Sequence, residues 1–465
     1  MKASRGVLIV ALALLAIAAL RDLARLGDAL PWHQLYDFGD FYCAGSVLDR
    51  GADPYRYEPL HTCEHRVNTG DAYRIDPKRV IPAPLPPYDF PPFALAARAS
   101  FANARSVDAI FIVLAIAAAV AGLALTGIPL DVAALALVLP GGFVLLSAGQ
   151  VVPFALVALV FCGVALARGR MPLAGLLAAL TLIEPHLGLP VCAAMLAWVP
   201  RSRIALVGTT FALIGIGVLM VGTGATIEYV RAVLPAQGAA ETGYAYQYSL
   251  TYALRTLGAP ASAALLAGEI SYGIVLLLGV WLGGRTARSL HRPELVAYLP
   301  AACAIIAGPY VHMVDLPFAM PAALVFATTL QGRPRAIAVA ALALLAIPWI
   351  PVWITKKLYL ATLFVVATLL ARLRAGVAFS LAVFAAVAVS VYLLELAPPA
   401  PLIATTIGTF TSDDLAQRAW AAYVAALGTA SLTWFAVKIP TWAALGGVLA
   451  AAAGALRAQG TPTPR

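Results

Sequence analysis

Apolar runs recur along almost the whole chain, at about 6–21, 107–126, 129–148, 150–167, 172–184, 186–199, 204–222, 262–283, 296–308, 313–330, 335–354, 358–371, 376–397, 419–437 and 439–456. Short polar or proline-rich stretches separate them. Runs of this kind, rich in Ala, Leu and Val, predict membrane-spanning helices, because a helix satisfies its own backbone in lipid. A β-barrel would show short alternating segments instead. Some runs are too short to cross a hydrocarbon core of ~30 Å alone at ~1.5 Å per residue. The segments 172–184 and 186–199 read as a re-entrant pair. The expected fold is therefore an all-α polytopic membrane protein with roughly 11–15 transmembrane helices.

The pattern divides the chain. Residues 1–21 form a first transmembrane helix of signal-anchor type, with Arg21 and Arg25 at headgroup level. Residues 22–105 form a long loop, 106–330 a transmembrane core with a second long loop at 223–261, 331–456 further transmembrane helices, and 457–465 a tail. Loops as long as the first are usually functional. Its stretch Pro82 to Pro92 predicts an extended, stiff segment.

Composition agrees with the pattern. Of 465 residues 62% are hydrophobic and 11% charged, far from soluble proteins. The net charge of +9 comes from short Arg clusters between apolar runs. With the N-terminus inside, the clusters at Arg168/Arg170, Arg201/Arg203, Arg285/Arg288/Arg292, Arg333/Arg335 and Arg372/Arg374 fall inside, and only Lys356 and Lys357 fall outside. A nucleic-acid partner would need a basic groove, which this spacing does not supply. The same walk puts 22–105, Gly149-Gln150, Glu184 to His186, 223–261, Tyr310 to Asp315 and 398–418 on the outer face. Nearly all unusual polar clusters thus collect on one side. Cys43 and Cys63 share the first outer loop and could pair in an oxidising compartment. Cys162, Cys192 and Cys303 lie in apolar runs.

Candidate chemistry begins at YDFGDFYCAG, Tyr36 to Gly45. Asp37 and Asp40 share a face if this stretch is helical. Aromatic neighbours would raise their pKa and suit them to accepting a proton. Acids also suit the start of a helix, with no further role. His312, flanked by Tyr310 and Asp315, is a candidate proton-transfer or hydrogen-bonding residue; His186, after Glu184 and Pro185, is a similar candidate. Tyr88 and Asp89, in the proline segment, and Gln150, at a helix start, are further polar candidates. Tyr244, Tyr246, Gln247, Tyr248 and Tyr252 offer stacking faces or an aromatic belt. Arg255 is a candidate anion partner or a headgroup anchor. His61 to His65, HTCEH, matches no standard zinc spacing, so no metal is expected. Glu269 is an acid inside an apolar run.

DFGDFYCAGSVLDRGADPY resembles the opening signature of glycosyltransferase family 87, membrane enzymes of the GT-C class that use polyprenyl-phosphate sugars. Asp37, Phe41, Tyr42, Ala44, Gly51, Pro54 and Tyr55 fall in step with it. YDFPPFAL, LLSAGQVVPFAL, GLLAALTLIEPHLGLP, YQYSLTYALRTLG and GPYVHMVDLPFAMPAAL resemble later stretches in the family's order, covering residues 36 to 330. Glu184 stands where the family usually has Lys, Val152 where Asn often follows Gly-Gln, and Tyr248 intrudes before Ser249.

The resemblance implies a GT-C-type bundle that moves a mannose-like or pentose sugar from a polyprenyl phosphate to a lipid- or glycan-linked acceptor. No cofactor is implied, and the partners are donor, acceptor and membrane lipids. Transfer would occur at the outer, periplasmic face of a bacterial inner membrane and would invert the sugar. Asp37 would be the general base. Asp40 would hold an acceptor hydroxyl or tune Asp37. His312, oriented by Asp315, would meet the phosphate. Tyr42, Tyr88, Asp89, Gln150, Glu184, His186, Gln247, Ser249, Arg255 and Tyr310 would bind donor or acceptor. A transporter or lipid flippase is the alternative reading, although no internal repeat is visible and the polar groups gather on one side rather than at mid-membrane.

Overall fold

The computed structural model describes residues 2–68 and 70–460; the end of the expected tail, 461–465, lies outside the described residues. The described chain is helical, with two isolated β-bridges and no strand. Among the described residues five helices are long and apolar enough to cross a membrane: Phe101–Leu125, Pro200–Ala240, Ala261–Leu290, Val377–Leu396 and Leu432–Arg457. The pair Leu130–Leu137 and Pro140–Ala148, bent by 45°, would make a sixth. Shorter apolar helices fill the bundle, among them Val152–Ala167, Leu295–Ala304 and Met313–Thr329. The N-terminal helix runs over Lys2–Ala24.

Burial follows from a lipid environment. Leu219 is 87% and Leu277 69% exposed on the long helices, while helix Leu295–Ala304 is buried along its whole length. The chain therefore has an apolar outside as well as an apolar core, the arrangement of a polytopic membrane protein. Helices Met171–Leu180 and Pro185–Trp198 meet at Glu184, and a Cβ on Gly188 would come within 2.6 Å of the Thr181 backbone. Glu269 faces outward near the start of its helix.

The polar segments are knitted together at one end of the bundle. Tyr57 N–H donates to the Asp414 carbonyl (2.8 Å) and Ala416 N–H to the Tyr55 carbonyl (3.0 Å), which ties the first long loop to the segment before helix Ala416–Leu427. Tyr248 N–H donates to the Val311 carbonyl (2.6 Å) and Met313 N–H to the Tyr246 carbonyl (2.9 Å). Lys357 donates to the Arg25 carbonyl, so this exception to the charge pattern sits beside the end of the first helix.

The first loop is more structured than its composition suggests. Extended backbone gives way at Pro87–Asp89 to a helical turn and then to helix Phe90–Ala96. Pro91 and Pro92 occupy the first helical positions, where a missing N–H costs nothing. Cys43, on helix Phe38–Asp49, is disulfide-bonded to Cys63 on helix Tyr57–Val67. A Cβ on Gly45 would lie 2.3 Å from the Phe93 backbone, so Gly45 is what lets two helices of the loop touch. Gly45→Ala should separate them at a cost of about 1–3 kcal/mol or more. Thermal unfolding in detergent would read this as a lowered midpoint; an unchanged midpoint would refute the contact.

Candidate active site

A cavity of about 1180 Å³ opens among the knitted loops. Its wall takes side chains from the first loop, from the Gly149-Gln150 turn, from Glu184 to His186, from Tyr244 and Tyr246, from Tyr310 and His312, and from Trp420 and Tyr423. An apolar side, with Phe143, Val144, Leu189, Met313, Val314 and Ile354, adjoins this polar one.

Asp37 is placed by backbone. Tyr36 N–H donates to the Ser147 carbonyl (3.0 Å) and Asp37 N–H to the Ala148 carbonyl (2.8 Å). The next residue, Gly149, has φ +69°, and a Cβ there would lie 3.0 Å from that of Leu35, so a side chain would be both strained and crowded. This turn brings Gln150 to Asp37, and its Nε2 donates to Asp37 Oδ2 at 2.5 Å. Asp37 holds the N-cap position of helix Phe38–Asp49, yet its side chain caps nothing. The expected shared helical face of Asp37 and Asp40 is thus only half realised: Asp40 is in the first turn and Asp37 just outside it. Burial pushes the Asp37 carboxyl up to about 6, against the opposing effects of Gln150 and the charge of Arg79.

Asp40 is 1% exposed. Tyr73 OH lies 3.4 Å from Asp40 Oδ1 and 3.2 Å from Glu64 Oε2, which also accepts from Ile81 N–H (3.0 Å). Burial, then the charges of Glu64 and Asp37, hold Asp40 well above the usual carboxylate range; burial pushes Glu64 up to about 8.

His312 is set by the pairing of 246–248 with 311–313, and its ring lies within 6.0 Å of those of Tyr244 and Tyr246. Burial pushes its pKa down to about 4, so the ring is neutral at pH 7. Asp315 meets His312 in a reciprocal cap, the His312 side chain accepting from the Asp315 backbone N–H. Asp315 Oδ2 accepts from the backbone N–H of His312 (2.6 Å), at the start of the helical turn Met313–Ala319, and from the ring Nε2 of His186 (3.1 Å). His186 also lies 3.6 Å from Glu184 and packs edge-on against Tyr310.

The remaining candidates divide. Asp37, Asp40, Gln150, Glu184, His186, Tyr310 and His312 all line the cavity. Tyr42 donates to the Ala99 carbonyl and Tyr88 to the Leu182 carbonyl, with buried Asp89 beside it in sequence. Gln247 bonds Glu241 and the Val311 N–H, and Ser249 accepts from Tyr252 N–H as a helix cap. These five brace the wall without lining it. Arg255 bonds the Ala259 carbonyl and also lies off the cavity, whose guanidinium groups are those of Arg79 and Arg105.

Sequence reading missed Glu64, Tyr73, Arg79, Glu241 and Trp420. Glu241 accepts from Trp420 Nε1 (2.5 Å) and Gln247 Nε2 (3.1 Å), and burial pushes it up to about 7. A legible signal existed for Trp420 and Tyr423, an aromatic pair three apart on one helix face. His61 bonds Glu58 and the Pro77 carbonyl; among the described residues no group of three or more His, Cys, Asp and Glu is placed to hold a metal ion.

Fold and site define a polytopic α-helical membrane protein with a large, carboxylate- and aromatic-lined cavity among its loops. Comparisons with protein-family models, curated proteins and solved structures found no match for the chain.

Proposed function

We propose that the protein is a membrane glycosyltransferase that moves a sugar from a polyprenyl phosphate to an acceptor hydroxyl. The observation that carries this reading is Asp37: a carboxylate fixed by Gln150 on the wall of a cavity large enough for a sugar ring, with tyrosine faces around it and an apolar side adjoining. A weak hydroxyl nucleophile needs a base poised near the operating pH, and a carboxyl at about 6 is largely ionised at pH 7 while still basic enough to take a proton. As the acceptor oxygen attacks the anomeric carbon, its proton passes to Asp37 and the lipid phosphate departs from the opposite side, inverting the centre.

His312, neutral at pH 7, meets that phosphate as a hydrogen-bond donor rather than as a standing cation. The apolar side takes the first isoprene units of the donor. The oxidised Cys43–Cys63 pair and the arginine pattern favour an oxidising compartment outside a bacterial inner membrane.

Incubation of purified protein with synthetic polyprenyl-phosphate sugars tests the reading. Solute movement across proteoliposomes without bond cleavage would replace it with transport. The base must be ionised to act, so kcat/KM should rise about tenfold per pH unit below about 6 and level off above. A flat profile between pH 5 and 7 would remove Asp37 from this role.

A further inference from the structure

Part of the cavity wall is unused by this chemistry. Asp40, Tyr73, Arg79, Trp420 and Tyr423 all line it. Asp40 Oδ2 is buried and has no hydrogen-bond partner. The Tyr73 hydroxyl sits between Asp40 and Glu64, but a phenol has one proton and can donate it to only one of them. The Arg79 guanidinium lies 4.4 Å from the centre of the Tyr423 ring and 5.0 Å from that of Tyr73, and Nη1 donates to Tyr423 OH (2.5 Å).

Ligand classes can be sorted on these groups. An apolar ligand would leave buried Asp40 Oδ2 without a partner, which is costly. An anion would enter beside Asp37, largely ionised at pH 7, and the buried Asp40. A cation would face Arg79. A neutral ring carrying hydroxyl groups satisfies all of them: a hydroxyl for Asp40, ring or hydroxyl oxygens for Arg79, and a C–H face for the indole.

We infer that Asp40, Arg79 and Trp420, with Tyr73 as a positioning residue, form a subsite for a neutral cyclic polyol that excludes a carboxylated ring. Under the transferase reading, on which the word acceptor rests, this ring is the acceptor's. It arrives either free in solution or on a lipid anchor.

The test is binding, read by the fluorescence of Trp420 as the difference between wild type and Trp420→Phe. Protein in nanodiscs is titrated with methyl mannoside, with methyl glucuronide, and with a diacylglycerol mannoside supplied in the bilayer. A saturable response to either neutral glycoside, weakened about tenfold or more in Asp40→Leu and absent with the glucuronide, is expected. A response to the soluble probe alone marks a free ligand, and a response to the lipid probe alone an anchored one. No response to either neutral probe, equal binding of the glucuronide, or undiminished binding by an Asp40→Leu protein of normal melting temperature overturns the subsite.

Should Asp40→Leu not fold, Glu64→Gln serves in titrations above about pH 8, where Glu64 is otherwise ionised and its loss removes a like charge behind Asp40. The glucuronide should then gain affinity, and unchanged discrimination would also overturn the proposal. The two readings separate. Glycoside binding without any transfer from polyprenyl donors leaves the subsite and removes the transferase. Transfer with an acceptor KM indifferent to Asp40→Leu does the reverse.

Discussion

Under the proposed transferase function, Asp37→Asn is expected to lower sugar transfer by ~10²–10⁴-fold, the range for loss of a positioned general base. The substitution keeps the shape of the side chain, and the backbone bonds that place it, Tyr36 to Ser147 and Asp37 to Ala148, involve no side-chain atom. Folding should therefore survive, and the loss should fall on the chemical step. Single-turnover transfer with a synthetic polyprenyl-phosphate sugar, beside a melting curve, separates the two. A variant that transfers within about threefold of wild type would not be missing its base. Gln150→Leu should move the same step in a second way. It removes the hydrogen bond that opposes burial, so the rising limb of the pH profile should shift to higher pH.

Loss of the Cys43–Cys63 disulfide should have the largest effect on stability. The bond closes a loop spanning a sequence separation of 20 residues, for which chain-entropy reasoning gives roughly 3 kcal/mol. Two features suggest that the effect reaches the cavity. Cys43 is three residues beyond Asp40, and Cys63 adjoins Glu64, so the bond presses two buried carboxyl groups toward one another. Paired Cys43→Ala and Cys63→Ala substitutions, or reduction of the native protein, should lower the unfolding midpoint by several degrees, with less change elsewhere in the bundle by hydrogen exchange. A midpoint that ignores reductant would mean the bond carries no such weight.

How far the sequence revealed this molecule depends on the length scale of the signal. Helical membrane architecture was legible because apolar runs are local and long. The grouping of polar segments on one face was legible from arginine placement. Asp37, Gln150, His186, Tyr310 and His312 were legible as candidates because each stands out as polar or aromatic at the edge of an apolar run. Their meeting at one cavity was not, since it depends on pairings such as Tyr246 with Met313 and Asp37 with Ala148. Gln247 and Ser249 misled for a physical reason: a polar side chain next to a turn in a buried place is first needed by the backbone, and here each is bonded within the protein. Arg255 resembled a phosphate partner, yet its guanidinium closes a local turn by bonding the Ala259 carbonyl. Arg79 gave no local signal, and Glu64 only that of the HTCEH stretch, because their importance lies in what they face across the loop.

The helix Ala416–Leu427 brings Trp420 and Tyr423 back to a wall begun near residue 37. During synthesis the first groups of the pocket leave the ribosome long before the last. A nascent chain stopped before this helix would carry the carboxylates and histidines but no enclosed space for them. Competence should therefore appear only near the end of translation, and products of premature termination should be inert rather than partly active.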